Sequence, residues 1–246
     1  MTARDGSAKG RLEGRVAFIT GPDPASGVRR RSFAEEGASV VIAEKNAEAG
    51  ARTASEVEEA GGRALAVATD VTDERSVERA VEAAIGRFGA IHVLFNCAGG
   101  SIPQDGPVTE VDLAVWDHTI GLDLKGTLLV CRHVIPKIVA AGGGSVVNSS
   151  SVVALKGHPI HVYSAAKGGI LALTRALAST YGRQGVRVNA ICPGIVLSER
   201  IRSRMGDGLL EQAAKNGLSL ESHPSRSASR STSRASCSSS PRTNRA

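Results

Sequence analysis

The stretch VAFITGPDPASGVRRRSFAEEGASVVIAE, residues 16–44, contains the features that decide the fold. It begins with the β-rich run Val16–Thr20, passes through Gly21 and a polar segment, and reaches a second apolar run at Ser39–Ala43. Both runs are apolar on successive residues, which is the pattern of strands that helices cover on both faces. A strand that ends in a glycine turn and is followed by a helix and a second strand is typical of a nucleotide-binding β-α-β unit. The stretch therefore predicts a parallel sheet with a ligand site at the carboxyl end of its first strand.

The rest of the chain repeats this alternation of short β-rich runs and longer helical stretches. Four further strands are predicted, at Ala64–Thr69, Ile91–Asn96, Ser145–Ser149 and Arg187–Ile191. Helices are predicted where apolar residues recur at three- and four-residue steps, as in Ala47–Ala60, Glu74–Phe88, Val111–Ala141 and Val162–Tyr181. This order predicts an α/β fold, with one Rossmann-like, doubly wound parallel sheet in a single domain. Ligands of such sheets bind beyond the carboxyl ends of the strands.

Composition indicates one soluble domain. A chain of 246 residues, 41% of them apolar, is long enough to bury a sizeable core. The four cysteines, Cys97, Cys131, Cys192 and Cys237, lack metal-ligand spacing, which predicts a reducing compartment and no metal site. No run is apolar for long enough to span a membrane, and the first residues lack the apolar core of a signal peptide. We therefore expect a cytoplasmic protein that does not bind a membrane.

The basic character of the chain is concentrated at one end. Of the net charge of +6, five arginines without any acidic residue lie within residues 223–246, so the remainder is close to neutral. Residues 219–246 lack apolar periodicity, and we expect a disordered Ser/Arg-rich tail there, a flexible segment over residues 1–11 and a folded domain over residues 12–218. RNA binding by the tail is one alternative. It is disfavoured because no aromatic stacking residues or RNA-binding module accompany the arginines, so no nucleic-acid partner is expected.

The strongest chemical signal is SSSVVALKGHPIHVYSAAKGG, residues 149–169. Tyr163 and Lys167 are four residues apart on a predicted helix and therefore share one face. An ammonium group beside a phenol favours the phenolate and lowers the pKa of the tyrosine, which makes Tyr163 a candidate acid/base for an alcohol or carbonyl proton. A hydroxyl group from the preceding strand end, Ser150 or Ser151, could hold the substrate oxygen.

From about Leu12 to Leu220 the chain resembles the short-chain dehydrogenases/reductases. YSAAK matches the family's YxxxK pair, NCAG at residues 96–99 is similar to its NNAG signature, and Pro193-Gly194 matches its PG signature. Asp70-Val71 matches the DV pair that brackets adenine, and Ser198 stands where a threonine often contacts the cofactor amide. The resemblance implies hydride transfer between a nicotinamide cofactor and an alcohol or ketone, in a homodimer or homotetramer. Steroids, sugars, acyl thioesters and small ketones all remain open as substrates.

The same resemblance implies the roles of individual residues. Ser151, Tyr163 and Lys167 would be catalytic, and Asp123 stands where the family has an asparagine that helps a proton-relay water. Chain spacing favours Ser150 as the catalytic serine, whereas alignment on the strand favours Ser151, which we prefer because a loop deletion is easier than a register slip. The residues implied in cofactor binding are Gly21, Ser26, Gly27, Val28, Glu44, Asp70, Val71, Asn96, Ala98, Gly99, Tyr163, Lys167, Pro193, Gly194, Val196 and Ser198.

Cofactor preference depends on Glu44 at the end of the second predicted strand. An acidic residue there hydrogen-bonds the adenosine ribose and repels a 2′-phosphate, so the sequence favours NAD(H) over NADP(H). The neighbouring Lys45 weakens this preference, and a solvent-facing charge is the alternative interpretation.

The glycine loop departs from the family pattern TGxxxGxG, whose backbone N–H groups receive the pyrophosphate. Gly21 is followed by Gly27, two residues too far along, Pro22 and Pro24 lack N–H donors, and Arg29 replaces the last glycine. A reading-frame slip over residues 24–32 would explain these changes, since compatible codons read in the shifted frame restore a Gly-Ile-Gly turn. The same shift converts residues from about 219 to 246 into an apolar helix like the family's last one. We therefore expect the chain as written to lack the family's last helix and strand, and a catalytically inactive remnant is the alternative function.

Overall fold

The computed structural model describes residues 10–21 and 26–194, and within residues 26–30 it describes the backbone alone. Six parallel strands form one sheet in the order β3-β2-β1-β4-β5-β6. The strands are β1 Val16–Thr20, β2 Ser39–Glu44, β3 Arg63–Ala68, β4 Val93–Asn96, β5 Gly144–Ser149 and β6 Val186–Ile191. The α-helices are α1 Ser26–Glu35, α2 Ala47–Glu59, α3 Glu74–Phe88, α4 Leu113–Thr119, α5 Gly126–Ala140 and α6 His161–Tyr181. The predicted doubly wound α/β fold is confirmed.

Helices cover both faces of the sheet because successive strand residues enter two different cores. On one face Phe18, Val41 and Leu94 pack with residues of α3 and α5. On the other face Ile19 and Ile42 belong to a second cluster that reaches Val57 of α2. All five residues of β1 and all six of β2 are buried. Two-sided burial therefore accounts for the continuous apolar runs in the sequence.

The strand order reverses between β1 and β4, and this reversal places the site. Thr20, the last residue of β1, pairs with Ala43 of β2 on one side and with Asn96 of β4 on the other. The helices α1 and α5, which follow β1 and β4 along the chain, pack on opposite faces of the sheet, and this divergence opens a crevice above the carboxyl ends of the strands.

The predicted helix over Val111–Ala141 is not one continuous α-helix. It consists of α4, a π-helical segment at Ile120–Lys125, and α5. At the end of the π segment the N–H of Gly126 donates to the carbonyl of Gly121, five residues back. Such π segments occur frequently at functional sites, and this one contains Asp123. Strand bounds also differ slightly from the prediction, since β4 begins at Val93 rather than Ile91.

The described domain extends back to residue 10, because the backbone N–H of Arg11 donates to the Glu36 carboxylate at 3.0 Å. Several predictions lie outside the described residues: those for residues 1–9, for the prolines of the glycine loop, for Val196 and Ser198, for the reading-frame slip after residue 194, and for the Ser/Arg tail. Within the described ranges, no helix is both long enough and apolar enough to cross a bilayer.

Candidate active site

The carboxyl ends of β1 and β4 approach each other so closely that only glycine fits at one position. Gly21 has a φ of +81°, and a Cβ atom there would overlap the Cα of Ala98. The hydroxyl of Thr20 accepts hydrogen bonds from the N–H groups of Cys97 and Ala98, at 3.1 and 3.3 Å. Gly21 and Ala98, both implied in cofactor binding, therefore line the same edge of the crevice.

Asn96 is a structural link between strands as well as a predicted cofactor residue. Its side-chain amide donates to Oδ1 of Asn148 on β5 at 2.9 Å, and Asn148 in turn donates to the hydroxyl of Thr174 on α6 at 2.9 Å. Asn96 and Asn148 are both buried. This chain of hydrogen bonds joins β4 and β5 to α6, the helix that carries Tyr163 and Lys167.

Glu44 provides the sharpest indication of a ligand at the end of β2. Its side chain is buried, and Oε1 accepts the backbone N–H of Asn46 at 2.9 Å. Its other oxygen, Oε2, is buried and has no hydrogen-bond partner among the described residues. A buried carboxylate oxygen without a partner is costly, and a ribose hydroxyl group would satisfy it. The residue therefore fits the adenosine end of a nicotinamide cofactor.

Asp70 lies two residues after the end of β3, and hydrogen bonds stabilise the negative charge of its carboxylate. A hydrogen bond from Lys45, with Nζ 2.6 Å from Oδ2, and a second from the Thr72 hydroxyl lower the pKa of Asp70 to about 2. The next residue, Val71, is buried, and a Cβ atom at Gly126 would lie 2.9 Å from its methyl group. Lys45 is thereby directed to Asp70, two residues after the end of the neighbouring strand β3, and Val71 packs against the start of α5.

Lys167 of α6 lies in a buried ion pair. Its Nζ is 2.7 Å from Oδ1 of Asp123 in the π segment and donates to the carbonyl of Ser149 at 3.0 Å. The side chains of Lys167 and Asp123 are 4% and 0% exposed, so water hardly screens the pair. The Asp123 carboxylate also accepts the N–H of Gly100 at 3.1 Å. Gly99 has to be a glycine, because a Cβ atom there would overlap the same carboxylate.

Tyr163 lies one turn before Lys167 on α6, as predicted. The Lys167 ammonium is 5.4 Å from the centre of the Tyr163 ring, which is within the range of a cation–π contact. Tyr163 is only partly buried, so part of its side chain is open to solvent. The structure thus brings Tyr163, Lys167 and Asp123 together, beside the ends of β4 and β5.

The two candidate serines have different environments. The Ser150 hydroxyl donates to the backbone carbonyl of Lys167 at 2.8 Å and is buried beneath α6. The Ser151 hydroxyl caps the short 3₁₀ helix Val152–Ala154 by accepting the N–H of Val153 at 3.4 Å, which is a long and easily exchanged bond. Pro193 adjoins this turn, since its carbonyl accepts the N–H of Val152 at 3.1 Å.

One buried carboxylate at the site was not predicted from the sequence. Asp105, in the loop after β4, accepts the backbone N–H groups of Val162 and Tyr163, at 3.1 and 2.8 Å. The partners are 57 and 58 residues away along the chain, so no local pattern signals the contact. Within the described ranges, no three His, Cys, Asp or Glu side chains gather as metal ligands.

The fold and this site define a dinucleotide-dependent oxidoreductase, and comparison with known proteins agrees. The family profile described as short chain dehydrogenase matches residues 15–207. A cis-4-hydroxycyclohexanecarboxylate dehydrogenase of Sinomonas cyclohexanicum is 39% identical over 214 residues, which cover 85% of this chain and 84% of that protein. A D-threitol dehydrogenase of Mycolicibacterium smegmatis is 37% identical, over 77% of this chain and 73% of that one. The solved structure of an NAD⁺-bound xylitol dehydrogenase superposes with a TM-score of 0.70 at 31% identity, over 75% of this chain and 71% of that one. This chain belongs to the short-chain dehydrogenase family.

Proposed function

We propose that this protein is an NAD(H)-dependent oxidoreductase that interconverts an alcohol and a ketone. The observation that carries the proposal is the placement of Tyr163 one helical turn from a buried Lys167, at the carboxyl edge of a doubly wound sheet. The names of the relatives support it, since each is a dehydrogenase named for a hydroxylated compound. The substrate would be a steroid, a sugar, an acyl thioester or a small ketone, or the corresponding alcohol.

In this proposal Tyr163 exchanges a proton with the substrate oxygen at its phenolic oxygen. The positive charge of Lys167 stabilises the phenolate, so the phenol can give up and regain a proton at working pH. Ser151 positions the substrate oxygen, because its hydroxyl makes only a long bond, whereas the Ser150 hydroxyl is bound to the Lys167 carbonyl. Asp123 fixes the lysine, and one of the lysine's three N–H donors remains for the cofactor ribose once Asp123 and the Ser149 carbonyl are bound.

The described residues fit NAD(H) as the cofactor. The unpartnered Oε2 of Glu44 would accept a ribose hydroxyl group, and its negative charge would repel a 2′-phosphate. Lys45 is paired with Asp70, which reduces its value as a phosphate ligand. Gly21, Asn96, Ala98 and Gly99 would line the cofactor crevice, with Pro193-Gly194 at its far side. The bound nicotinamide supplies the hydride chemistry.

The decisive experiment compares the wild-type protein with Tyr163→Phe. We expect the variant to lose turnover by at least about 1,000-fold, because the proton donor is absent while the ring is retained. Binding of NADH, followed by its fluorescence, should stay within about threefold, and NADPH should bind more weakly than NADH to both proteins. Full residual activity in the variant would reject the assignment. A wild-type protein that neither turns over alcohols nor binds NADH would instead be the inactive remnant.

Partners and location follow from the same proposal. We propose a homodimer or homotetramer that acts in the cytoplasm on a small-molecule alcohol or ketone. Cys131, a cysteine of α5, is buried, and burial raises the pKa of its thiol to about 12. A buried, protonated thiol is a poor nucleophile, so we assign Cys131 no part in the reaction.

A further inference from the structure

We infer that Asp105 is the residue that positions Tyr163, by holding the first turn of α6 in its helical form. The inference rests on the proposed function, because Tyr163 is the acid/base there. Asp105 is not one of the residues that the family resemblance implies, and it lies on the connection between β4 and α4, far from Tyr163 in sequence. Its carboxylate provides the charged link between that connection and α6, the helix that carries Tyr163.

The first turn of α6 cannot cap itself. An α-helix leaves its first four N–H groups without intrahelical partners, and a side chain at the N-cap usually accepts one of them. The N-cap of α6 is Ile160, which has no such acceptor and makes no side-chain cap. Asp105 replaces it from outside the helix, with Oδ1 on the N–H of Val162 and Oδ2 on the N–H of Tyr163. The second of these bonds, at 2.8 Å, ends on the backbone of the catalytic residue itself.

Charge and burial make this cap strong. Asp105 is 9% exposed, and its negative charge lies at the positive end of a 21-residue helix. Hydrogen bonds to a charged acceptor are about twice as strong as neutral ones. Two further contacts join the same loop to α6: the N–H of His161 donates to the carbonyl of Gly106 at 3.3 Å, and the N–H of Val108 donates to Nδ1 of His161 at 3.0 Å.

Tyr163 and Lys167 are held by different contacts, so loss of the Asp105 cap should affect the two residues differently. Lys167 lies one turn further along the helix, where Asp123 and the Ser149 carbonyl hold its ammonium group. Fraying of the first turn would therefore displace the Tyr163 phenol while Lys167 stays in place. A displacement of about 1 Å at a reacting group can lower the rate by about 100-fold. Loss of the cap should consequently impair proton transfer more than cofactor binding.

The test uses Asp105→Ala and Asp105→Asn in the full-length protein, with Asp112→Ala as the matched control. Asp112 caps α4 by accepting the N–H of Ala114 at 2.8 Å, so its removal also deletes an aspartate cap, but from a helix whose first turn carries no site residue. We expect kcat to fall by roughly 10- to 100-fold in Asp105→Ala, with the dissociation constant of NADH within about threefold of wild type. Asp105→Asn, which keeps one acceptor oxygen, should recover part of the loss. Asp112→Ala should keep kcat within about twofold.

A second readout does not depend on turnover. Hydrogen exchange of the cofactor-free protein should show faster exchange of the Val162 and Tyr163 amides in Asp105→Ala, by about tenfold, and unchanged exchange at Lys167. If wild type shows no turnover, the proposed function fails, and the exchange data still decide the inference. If Asp105→Ala does not fold, Asp105→Asn decides it by the same two readouts.

Two outcomes would overturn the inference. One is a folded Asp105 variant with wild-type kcat and wild-type amide exchange. The other is an equal loss of kcat in Asp105→Ala and Asp112→Ala, when both variants show the same decrease in thermal midpoint. A general loss of stability would then explain both results.

Discussion

Asp123 places a full negative charge beside the lysine that is expected to activate Tyr163. The two charges are 2.7 Å apart and shielded from water, so their interaction is strong. Removal of one partner from such a pair leaves the other charge buried and uncompensated. The carboxylate thus offsets part of the positive field that Lys167 exerts on the phenol, which a neutral amide at the same place would not do.

Replacement of Asp123 by asparagine should therefore move the pH profile of the reaction. In Asp123→Asn the full charge of Lys167 faces Tyr163 and favours the phenolate. We expect the acidic limb of kcat/KM for alcohol oxidation to shift to lower pH by about one unit. The measurement is kcat/KM from about pH 5 to 10. Asp117→Asn, at an exposed position on α4, is the control and should leave the profile in place. A shift to higher pH, or none in a folded variant, would contradict this electrostatic role.

Side chains that act within one motif could be predicted from the sequence, and those that meet through the fold could not. Tyr163 and Lys167 share a helix, so their four-residue spacing fixes their common face. Glu44 ends a recognisable strand. Asp105 lies in an irregular loop whose partner is on another element, and its hydrogen bonds go to backbone groups that every sequence has. The pairing of Asp123 with Lys167 likewise needed the packing of the π segment against α6.

Most secondary-structure elements were predicted within a residue or two because their apolar period is strong. The π segment at Ile120–Lys125 was missed because its sequence continues the helical pattern on both sides. One long-range contact accompanies it, because the carboxylate of Asp123 lies against the loop at Gly99 and Gly100. The Thr127 hydroxyl adds a local bond by donating to the Asp123 carbonyl, one turn back in the same helix, at 2.7 Å.

The imidazole of His92 completes the hydrogen bonding at the start of β1. Its Nδ1 accepts the N–H of Val16 at 3.1 Å, which requires the neutral ring. Burial, and to a smaller extent the charge of Arg15, lowers the pKa of His92 below its usual 6.5. The unfolded chain therefore takes up this proton first as the pH falls. The stability that His92 contributes is present above pH 6.5 and is lost as the pH falls from there through the lower pKa of the folded state.

Replacement of His92 by asparagine should remove this acid sensitivity. In His92→Asn the side-chain amide oxygen can accept the same N–H but does not titrate. When the pH is lowered from about 7.5 to about 5.5, we expect the thermal midpoint of wild type to fall by about 1–3 °C more than the thermal midpoint of the variant. Calorimetry at several pH values measures the difference, with His118→Asn, at an exposed site on α4, as the control. Equal slopes for wild type and His92→Asn would show that this imidazole does not limit stability in acid.

Within the described residues, the molecule presents a partly apolar surface between α5 and α6. A groove of about 280 Å³ runs between them, lined by Leu128, Cys131, Arg132, Ile135, Leu177 and Tyr181. Leu128 is 45% exposed, so its apolar side chain at this groove is partly open to solvent. The family resemblance implies a homodimer or homotetramer built partly on these helices. A second copy of this chain is therefore the expected occupant of the groove.

A charge at the rim of this groove should separate the subunits. Leu128→Asp would bury a carboxylate at the subunit contact, where the nearby Arg132 of the same helix already faces Glu74. Desolvation of this charge costs several kcal/mol in the assembled state, whereas the isolated subunit leaves it in water. We expect wild type to elute as a dimer or tetramer in size-exclusion chromatography with light scattering, and the variant to shift to the monomer mass at the same concentration. Leu113→Asp provides the control, because Leu113 is 76% exposed on α4 and does not line the groove. An unchanged mass for Leu128→Asp, or an equal shift for Leu113→Asp, would place the subunit contact elsewhere on the molecule.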